Sequence, residues 1–276
     1  MSIPKTEMRN PLSKNMDKME SEEMVLLLIR ANYDAVRACE NASHEIARAV
    51  DAIAQSFEKG GRLFYVGAGT SGRLGIIDAT ECPPTFGVPQ TQVQGIIAGG
   101  TERVFSASEN EEDKYEHGYA AIKNRGVSEN DVVVGISASG NAKYIMGALE
   151  CAKEIGCVTV GISSNEDTLV LRTADIPIFT DTGAEILTGS TRLKAGTAQK
   201  IVLNTLSTCA MAKTGKVYEN MMINLSPSNE KLKKRVIRIV SEITDCNEND
   251  AIFLLSQNDW NIKKSLESFY KLKGEK

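Results

Sequence analysis

The fold of this chain is best predicted from one stretch, Leu63-Phe64-Tyr65-Val66-Gly67-Ala68-Gly69-Thr70-Ser71-Gly72-Arg73. Its first four residues are all apolar, and because no polar residue alternates with them, the run predicts a buried parallel strand. Glycine stops the run, and the following residues are predicted to open a helix. Main-chain N–H groups and the positive end of the helix dipole would then face an anion. We therefore predict a phosphate-binding loop with Gly69, Thr70 and Ser71 as ligands.

The same apolar run recurs along the chain, with helical periodicity between the recurrences. Strands are predicted over Val93 to Ala98, Val132 to Ile136, Val158 to Ile162 and, more weakly, Ile176 to Phe179, and helices over Glu112 to Lys123 and Tyr144 to Ile155. Strands that alternate with helices predict an α/β fold with a doubly wound, five-stranded parallel sheet. Ligands of such sheets bind beyond the carboxyl ends of the strands, so the loops there should line one crevice.

Helices are predicted at both ends of the chain. Helical spacing covers Ser21 to Lys59 before the sheet and Arg192 to Thr214 after it, and Lys231 to Tyr270 indicates a compact three-helix unit. We therefore expect three parts: an N-terminal leader and helices (1–59), an α/β domain that carries the phosphate-binding loop (60–225) and a small C-terminal helical unit (226–276) that resembles a ubiquitin-associated-type bundle.

Composition excludes several classes of protein. A net charge of -4 without a basic stripe argues against a nucleic-acid partner. The polar N-terminus and the lack of any apolar run of membrane-spanning length predict a cytoplasmic protein without a membrane partner. Six scattered cysteines with no CxxC pair, and only two histidines, predict reduced thiols and no metal site.

The glycine loop also matches the dinucleotide pattern GxGxxG, which is weak on its own. A dinucleotide site places an acidic residue after the second strand, but Ala98-Gly99-Gly100-Thr101 stands there, and no acid occurs before Glu102. The hydroxyls of Thr70 and Ser71 suit a terminal phosphomonoester better than a pyrophosphate. A tight turn without any ligand is the other interpretation of the loop alone.

A second hydroxyl-rich turn, Ser137-Ala138-Ser139-Gly140-Asn141, follows the strand that ends at Ile136. Serine before a helix is most often an N-cap. Because this turn should lie beside the first loop, we instead predict that Ser137 and Ser139 complete the phosphate shell.

Several long strings identify a family resemblance. They are Gly67 to Arg73, Asp78-Ala79-Thr80-Glu81-Cys82-Pro83-Pro84-Thr85, Ile96-Ile97-Ala98-Gly99-Gly100, and Leu187-Thr188-Gly189-Ser190-Thr191-Arg192-Leu193-Lys194-Ala195-Gly196-Thr197-Ala198-Gln199-Lys200. Together they closely resemble the N-acetylmuramic acid 6-phosphate etherases, which have a sugar-isomerase fold and are related to the glucokinase regulatory protein. The resemblance extends from Thr6-Glu7 to about Lys231.

The resemblance implies a reaction and its catalytic residues. The family cleaves the C3 ether of the sugar by elimination and hydration, releasing D-lactate and N-acetylglucosamine 6-phosphate. It implies that Glu81, placed in a proline-rich loop, is the proton donor and that Glu112 is the base at C2. Glu81 would then be protonated and Glu112 ionised in the complex. For Glu81 the alternative is a surface carboxylate at a helix terminus. For Glu112 the alternative is a solvated helix start, since it lies in an acidic cluster.

Further properties follow from the same resemblance. Glu185 and Lys194, which flank the Ser190-Thr191 turn, are expected to contribute to the sugar or phosphate pocket; their alternative is an ordinary surface pair. No cofactor is expected, because the carbonyl of the substrate itself stabilises the carbanion. A homodimer is implied, with the N-terminal helix as the candidate interface.

The chain departs from the family pattern at two places. It has Glu109-Asn110-Glu111-Glu112-Asp113 where members often have Glu-Gly-Ala-Glu-Asp, and Ser139-Gly140-Asn141-Ala142-Lys143-Tyr144 where they often have Ser-Gly-Arg-Thr-Pro-Tyr.

Two other functions would use part of the same site. A sugar-phosphate sensor would not need Glu81, and a phosphosugar isomerase would need the base but no acid for a leaving group.

Overall fold

A computed structural model of the chain describes residues 3–106, 110–225, 227 and 229–273. The chain divides into two compact units, one of Met1–Ala79 with Thr91–Ala210 and the other of Thr80–Gln90 with Met211–Lys276. From the sequence we expect boundaries between residues 59 and 60 and between residues 225 and 226. This division into three parts stays a prediction.

The first unit contains the predicted five-stranded parallel sheet. Its strands are β1 (Leu63–Gly67), β2 (Val93–Ile97), β3 (Val132–Ile136), β4 (Val158–Ser163) and β5 (Ile176–Phe179). Their order is β2-β1-β3-β4-β5, and every pair is parallel. The chain leaves β1 for β2 on one side and returns to β3 on the other, so the strand order reverses at β1 and β3.

Seven α-helices begin among the described residues of the first unit. They are α1 (Ser21–Asn41), α2 (Ser43–Glu58), α3 (Gly69–Phe86), α4 (Tyr115–Asn124), α5 (Lys143–Ile155), α6 (Leu169–Thr173) and α7 (Lys194–Lys213). Both α3 and α7 continue from the first unit into the second. The α4 helix begins three residues after its predicted start at Glu112, which instead lies in the preceding turn.

Helices cover both faces of the sheet because alternate strand residues point to opposite sides. Phe64 and Val66 of β1 belong to a buried cluster with Ile145 and Leu149 of α5. Tyr65 faces the other side, where its hydroxyl reaches α3 and α7. This double coverage confirms the doubly wound architecture.

The predicted proline-rich loop around Glu81 is wrong, because α3 continues through Cys82, Pro83 and Pro84 to Phe86. Proline normally breaks a helix by removing an N–H donor. Each proline lacks the N–H that would donate four residues back, so two intrahelical bonds are lost, and the helix ends two residues after Pro84. The N–H of Gly87 still donates to the carbonyl of Pro83 at 2.9 Å, and Gly87 has the left-handed φ of 61° that commonly ends a helix.

The second unit contains the predicted three-helix arrangement, with α8 (Glu230–Thr244), α9 (Glu248–Ser256) and α10 (Ile262–Lys273). Two short antiparallel strands precede it, β6 (Val217–Tyr218) and β7 (Met221–Met222). Its core is formed by apolar side chains from all three helices, among them Val236, Val240, Ala251, Leu255, Ile262 and Leu266.

Candidate functional site

The glycine loop and the serine loop begin side by side at the carboxyl edge of the sheet. Gly67, the last residue of β1, is the register partner of Ile136, the last residue of β3. Because the strand order reverses here, the connections diverge and leave a crevice beyond the strand ends. The adjacency predicted for the two loops therefore results from the sheet order itself.

The glycine loop is a tight turn into the first residues of α3. A Cβ on Gly67 would lie 2.4 Å from the main-chain nitrogen of Gly72, so a side chain would not fit there. Gly69 has a φ of 53° and is exposed, Thr70 is half-buried and Ser71 is buried. The first N–H groups of a helix have no intrahelical acceptor. They can therefore bind an anion in the crevice.

Helix α7 packs directly against this loop. The hydroxyl of Ser71 donates to the side-chain carbonyl Oε1 of Gln199 at 3.0 Å, and both residues are buried. A Cβ on Gly196 would lie 3.7 Å from the methyl group of Thr70. Gln199 has a second polar atom, Nε2, which is buried and has no hydrogen-bond partner among the described residues. Gln199 lies in the Leu187 to Lys200 stretch that carries the family resemblance, but no local pattern assigns it a role.

The serine loop is held by hydrogen bonds of its own. The Ser137 hydroxyl oxygen accepts from the N–H of Gly140 at 3.0 Å and lies 3.3 Å from the Ser139 hydroxyl. Ser137 is buried and Ser139 is exposed. Helix α5 has Ala142 at its N-cap, without a side-chain cap bond, so Ser139 is not the cap of that helix. Its hydroxyl can therefore contact a ligand.

At the site of the departure from the family pattern, Asn141 is exposed and its Oδ1 accepts from the N–H of Leu169 at 3.3 Å. This bond connects the serine loop to the start of α6. The neighbouring Gly140 has a φ of 74°, and a Cβ there would lie 2.3 Å from the Thr168 hydroxyl oxygen. The hydrogen bond of Asn141 and the close approach of Gly140 to Thr168 both place the serine loop against the loop that follows β4.

Glu185 and Lys194 are both buried, so the alternative of an ordinary surface pair is wrong. The carboxylate of Glu185 accepts from the N–H of Lys194 at 3.0 Å and from that of Ala195 at 2.9 Å. A carboxylate at this end also complements the helix dipole of α7. The Lys194 ammonium donates to Asp34 of α1 at 3.1 Å. Their predicted contact with substrate stays a prediction.

Glu112 and its neighbour Glu111 differ in surroundings. Glu112 is exposed, and its carbonyl accepts from the N–H of Tyr144 at 2.9 Å, which joins its turn to α5. Glu111 is half-buried, with hydrogen bonds to Lys114 at 2.6 Å and to Nδ1 of His117 at 3.1 Å. The bond from Lys114, followed by that from His117, lowers the pKa of Glu111. Glu111 and His117 also line a cavity of about 520 Å³.

Glu81 is an exposed residue of α3 in the second unit. The following Cys82 is 2% exposed and Phe86 is 5% exposed, so the helix end is anchored on the side away from solvent. The side-chain amide of Asn224 donates to the carbonyl of Phe86 at 2.6 Å. This bond and the Gly87 terminator hold the end of the helix that carries Glu81.

Among the described residues, no group of His, Cys, Asp and Glu side chains could hold a metal ion. None of the helices in the described part of the chain combines the length and apolar character needed to cross a bilayer.

Family comparisons agree with this architecture. A family model described as the glucokinase regulatory protein N-terminal SIS domain matches residues 45–153, and a model described as a UBA-like domain matches residues 241–274. The chain is also similar to a phosphoheptose isomerase from Francisella tularensis, with a TM-score of 0.53 and 17% identity. That structural match covers 70% of this chain and 98% of the isomerase, and it supports the sugar-isomerase fold alone.

Relatives of higher sequence identity align with this chain over nearly its whole length. The chain is 48% identical to an N-acetylmuramic acid 6-phosphate etherase of Pasteurella multocida, over 95% of this chain and 87% of that protein. It is 46% identical to one of Clostridium beijerinckii, over 95% of this chain and 86% of the relative. On this similarity, the chain belongs to the N-acetylmuramic acid 6-phosphate etherase family.

Proposed function

We propose that this protein is a carbon–oxygen lyase that cleaves the D-lactyl ether of N-acetylmuramic acid 6-phosphate. The products are N-acetylglucosamine 6-phosphate and D-lactate, as in the amino-sugar catabolism that recycles peptidoglycan. The observation that carries the proposal is the 48% identity with an etherase over 95% of this chain. We further propose that the reaction takes place in the cytoplasm.

The phosphate of the substrate binds in the crevice between the glycine and serine loops. Its ligands are the N–H groups at the start of α3, with Gly69, Thr70 and Ser71, and the hydroxyls of Ser137 and Ser139. The paired strand ends and the packing of α7 on Thr70 and Ser71 support this assignment. Because hydrogen bonds already hold Ser71 of the glycine loop and Ser137 of the serine loop, little conformational entropy is lost when phosphate binds.

The two glutamates provide the acid and the base. In the open-chain sugar the C1 carbonyl acidifies the C2 hydrogen, which Glu112 removes as a proton. The electron pair forms a C2–C3 double bond while the C3–O bond breaks, and Glu81 protonates the departing lactate oxygen. Water then adds its oxygen to C3, and a proton returns to C2. Glu185 and Lys194 border the pocket and hold the start of α7.

A homodimer is part of the proposal, with α1 at its interface. Exposed apolar side chains form a stripe along α1, at Val25, Ile29, Tyr33 and Val36. Ile29 is 56% exposed and Tyr33 is 61% exposed. Their spacing of three to four residues places them along one side of the helix. A stripe of this kind is typical of a protein interface.

Measurement of D-lactate release from N-acetylmuramic acid 6-phosphate tests the function. We expect release by the wild type and its loss in Glu81→Gln and Glu112→Gln. In deuterium oxide, Glu81→Gln should still exchange the C2 hydrogen, whereas Glu112→Gln should not. Phosphosugar binding without lactate release by the wild type would instead identify a sensor, and interconversion of aldose and ketose phosphates would identify an isomerase.

A further inference from the structure

A three-residue 3-10 helix, Lys5–Glu7, is anchored at the carboxyl edge of the sheet. Thr6 at its centre is 0% exposed, although Lys5 and Glu7 on either side are exposed. A fully buried threonine between two exposed charged residues indicates a specific attachment. The attachment lies within the first unit, at the end of the sheet where the phosphate crevice is found.

The partner of Thr6 is Asn165, which lies 159 residues later in the loop after β4. The main-chain N–H of Thr6 donates to Oδ1 of Asn165 at 3.3 Å, and the Thr6 hydroxyl oxygen accepts from Nδ2 of Asn165 at 2.9 Å. The bond to the Thr6 hydroxyl is thus the shortest of the hydrogen bonds that this amide makes to Thr6, Ala138 and Ser139. Both groups are buried, so loss of the Thr6 hydroxyl would remove the shortest bond of a buried amide.

The same amide also holds the serine loop. Nδ2 of Asn165 lies 3.3 Å from the carbonyl of Ala138 and 3.4 Å from the carbonyl of Ser139. The main chain of Asn165 is in turn fixed by Ser163, whose hydroxyl donates to its carbonyl at 3.0 Å and accepts from its N–H at 3.1 Å. The amide therefore connects the buried Thr6 to the backbone on either side of the Ser139 hydroxyl.

Thr6 also contacts the segment that leads into α7. Its carbonyl accepts from the N–H of Gly189 at 3.2 Å. Gly189 precedes the Ser190-Thr191 turn, and the carbonyl of Thr191 accepts from the N–H of Gly196 at 2.9 Å in the first turn of α7. One threonine is thus bonded to the loop after β4 and to the approach to α7, the helix that packs on Ser71.

We propose that Thr6 and Asn165 are positioning residues of the phosphate site, which set the geometry of the serine loop without touching the substrate. The inference rests on the proposed function only in assuming that this loop binds the phosphate of the sugar. The bond between Thr6 and Asn165 then determines phosphate affinity, because Thr6 orients the amide that holds the carbonyls of Ala138 and Ser139.

Thr6→Val tests this, since it removes the hydroxyl and nearly preserves the shape of the side chain. We expect the KM for the phosphosugar and the inhibition constant of inorganic phosphate to rise about 5- to 20-fold, the effect of losing one buried hydrogen bond. The kcat should stay within about twofold of the wild type, because no catalytic group is moved. Thr6→Ser should restore both constants. Lys5→Ala, which removes the exposed ion pair with Asp181, is the matched control.

The stabilisation of each variant by phosphate separates positioning from a merely structural role. In thermal unfolding at a phosphate concentration near the wild-type dissociation constant, Thr6→Val should lose most of the upward shift in Tm that phosphate causes in the wild type. A lower Tm with an unchanged phosphate shift and an unchanged KM would overturn the inference. Asn165→Ala removes the same bonds from the loop side and gives an independent result if Thr6→Val does not fold. If the wild type releases no lactate, the proposed function fails, while the phosphate measurements still decide this inference.

Discussion

The hydroxyl of Ser71 donates a 3.0 Å hydrogen bond to the side-chain carbonyl of Gln199, which lies 128 residues later in the chain. Ser71 follows β1, whereas Gln199 lies on α7, so the bond joins the glycine loop to a helix distant in sequence. The orientation of a predicted phosphate ligand is therefore set by α7. The Nε2 atom of Gln199, buried without a partner in the described part of the chain, remains a donor beside the loop.

We predict that Gln199→Glu weakens phosphate binding by about tenfold or more, because a carboxylate beside the loop repels a phosphate dianion. The acceptor for Ser71 is retained, so the fold should survive. The inhibition constant of inorganic phosphate and the KM for the sugar phosphate measure the effect. Gln55→Glu, at an exposed position of α2, is the control for charge alone. Equal phosphate affinities in the two variants would contradict the prediction.

Glu185 is predicted to stabilise the protein by capping α7. Glu185→Ala should lower the free energy of unfolding by about 2 to 3 kcal/mol, because the buried N–H groups of Lys194 and Ala195 lose their acceptor. Glu185→Gln retains an oxygen and should cost less. Urea denaturation monitored by circular dichroism measures both. Full stability combined with a raised KM in Glu185→Ala would instead favour a role as a substrate ligand.

Asp131 should make stability depend on pH. Burial alone would raise the pKa of Asp131, but hydrogen bonds from the Arg62 side chain and the N–H groups of Ser128 and Arg62 outweigh burial, and the net effect lowers it. A lowered pKa gives stability that is present above the unfolded value of about 3.9 and is lost as pH falls through the folded pKa.

Asp131→Asn should therefore cost about 2 kcal/mol at pH 7, since it removes the charge of a buried carboxylate that pairs with the half-buried Arg62 at 2.7 Å. The difference from the wild type should shrink as the pH falls below about 4. Urea denaturation at several pH values measures it. Asp167→Asn, which breaks an exposed pair with Arg172, should cost less than about 1 kcal/mol. A difference between Asp131→Asn and wild type that does not vary with pH would refute the assignment.

The contrast between Glu111 and Glu112 predicts different effects on catalysis. Glu112→Gln should lower kcat at least about 100-fold, the usual contribution of a general base. Glu111 is already bonded to Lys114 and His117, so Glu111→Gln should lower kcat by less than about tenfold. Steady-state lactate release from both variants measures the contrast. The reverse order of the two effects would assign the base to Glu111.

The apolar stripe on α1 predicts a dimer that depends on this helix. Ile29→Glu should place a charge in the interface and convert dimers to monomers, as measured by sedimentation velocity. Phe253→Glu, at a residue that is 64% exposed on α9, makes the same change elsewhere and should leave the dimer intact. A wild type that sediments as a monomer would rule out the proposed interface.

Local sequence predicted most of the sheet. The β3 and β5 strands have the predicted ends, and β1, β2 and β4 differ from prediction by one residue. Mainly apolar runs that stop near glycine or polar residues indicate these ends, because a buried parallel strand has apolar side chains on both faces. The sequence did not predict the helix through Pro83 and Pro84, because prolines normally end a helix. The contacts of Gly87 and Asn224 that hold its last turn are formed only in the folded structure.

By itself the sequence determined the parallel sheet, the glycine and serine loops and the family, since each depends on residues close together in the chain. Only the tertiary structure decided that Gln199 orients Ser71, that Glu185 caps α7 and that Thr6 is bonded to Asn165. Hydrogen bonds such as those of Thr6 and Ser71 join residues 128 to 159 positions apart. No local pattern encodes them, because burial and partner geometry exist only after the sheet has brought its loops to one edge.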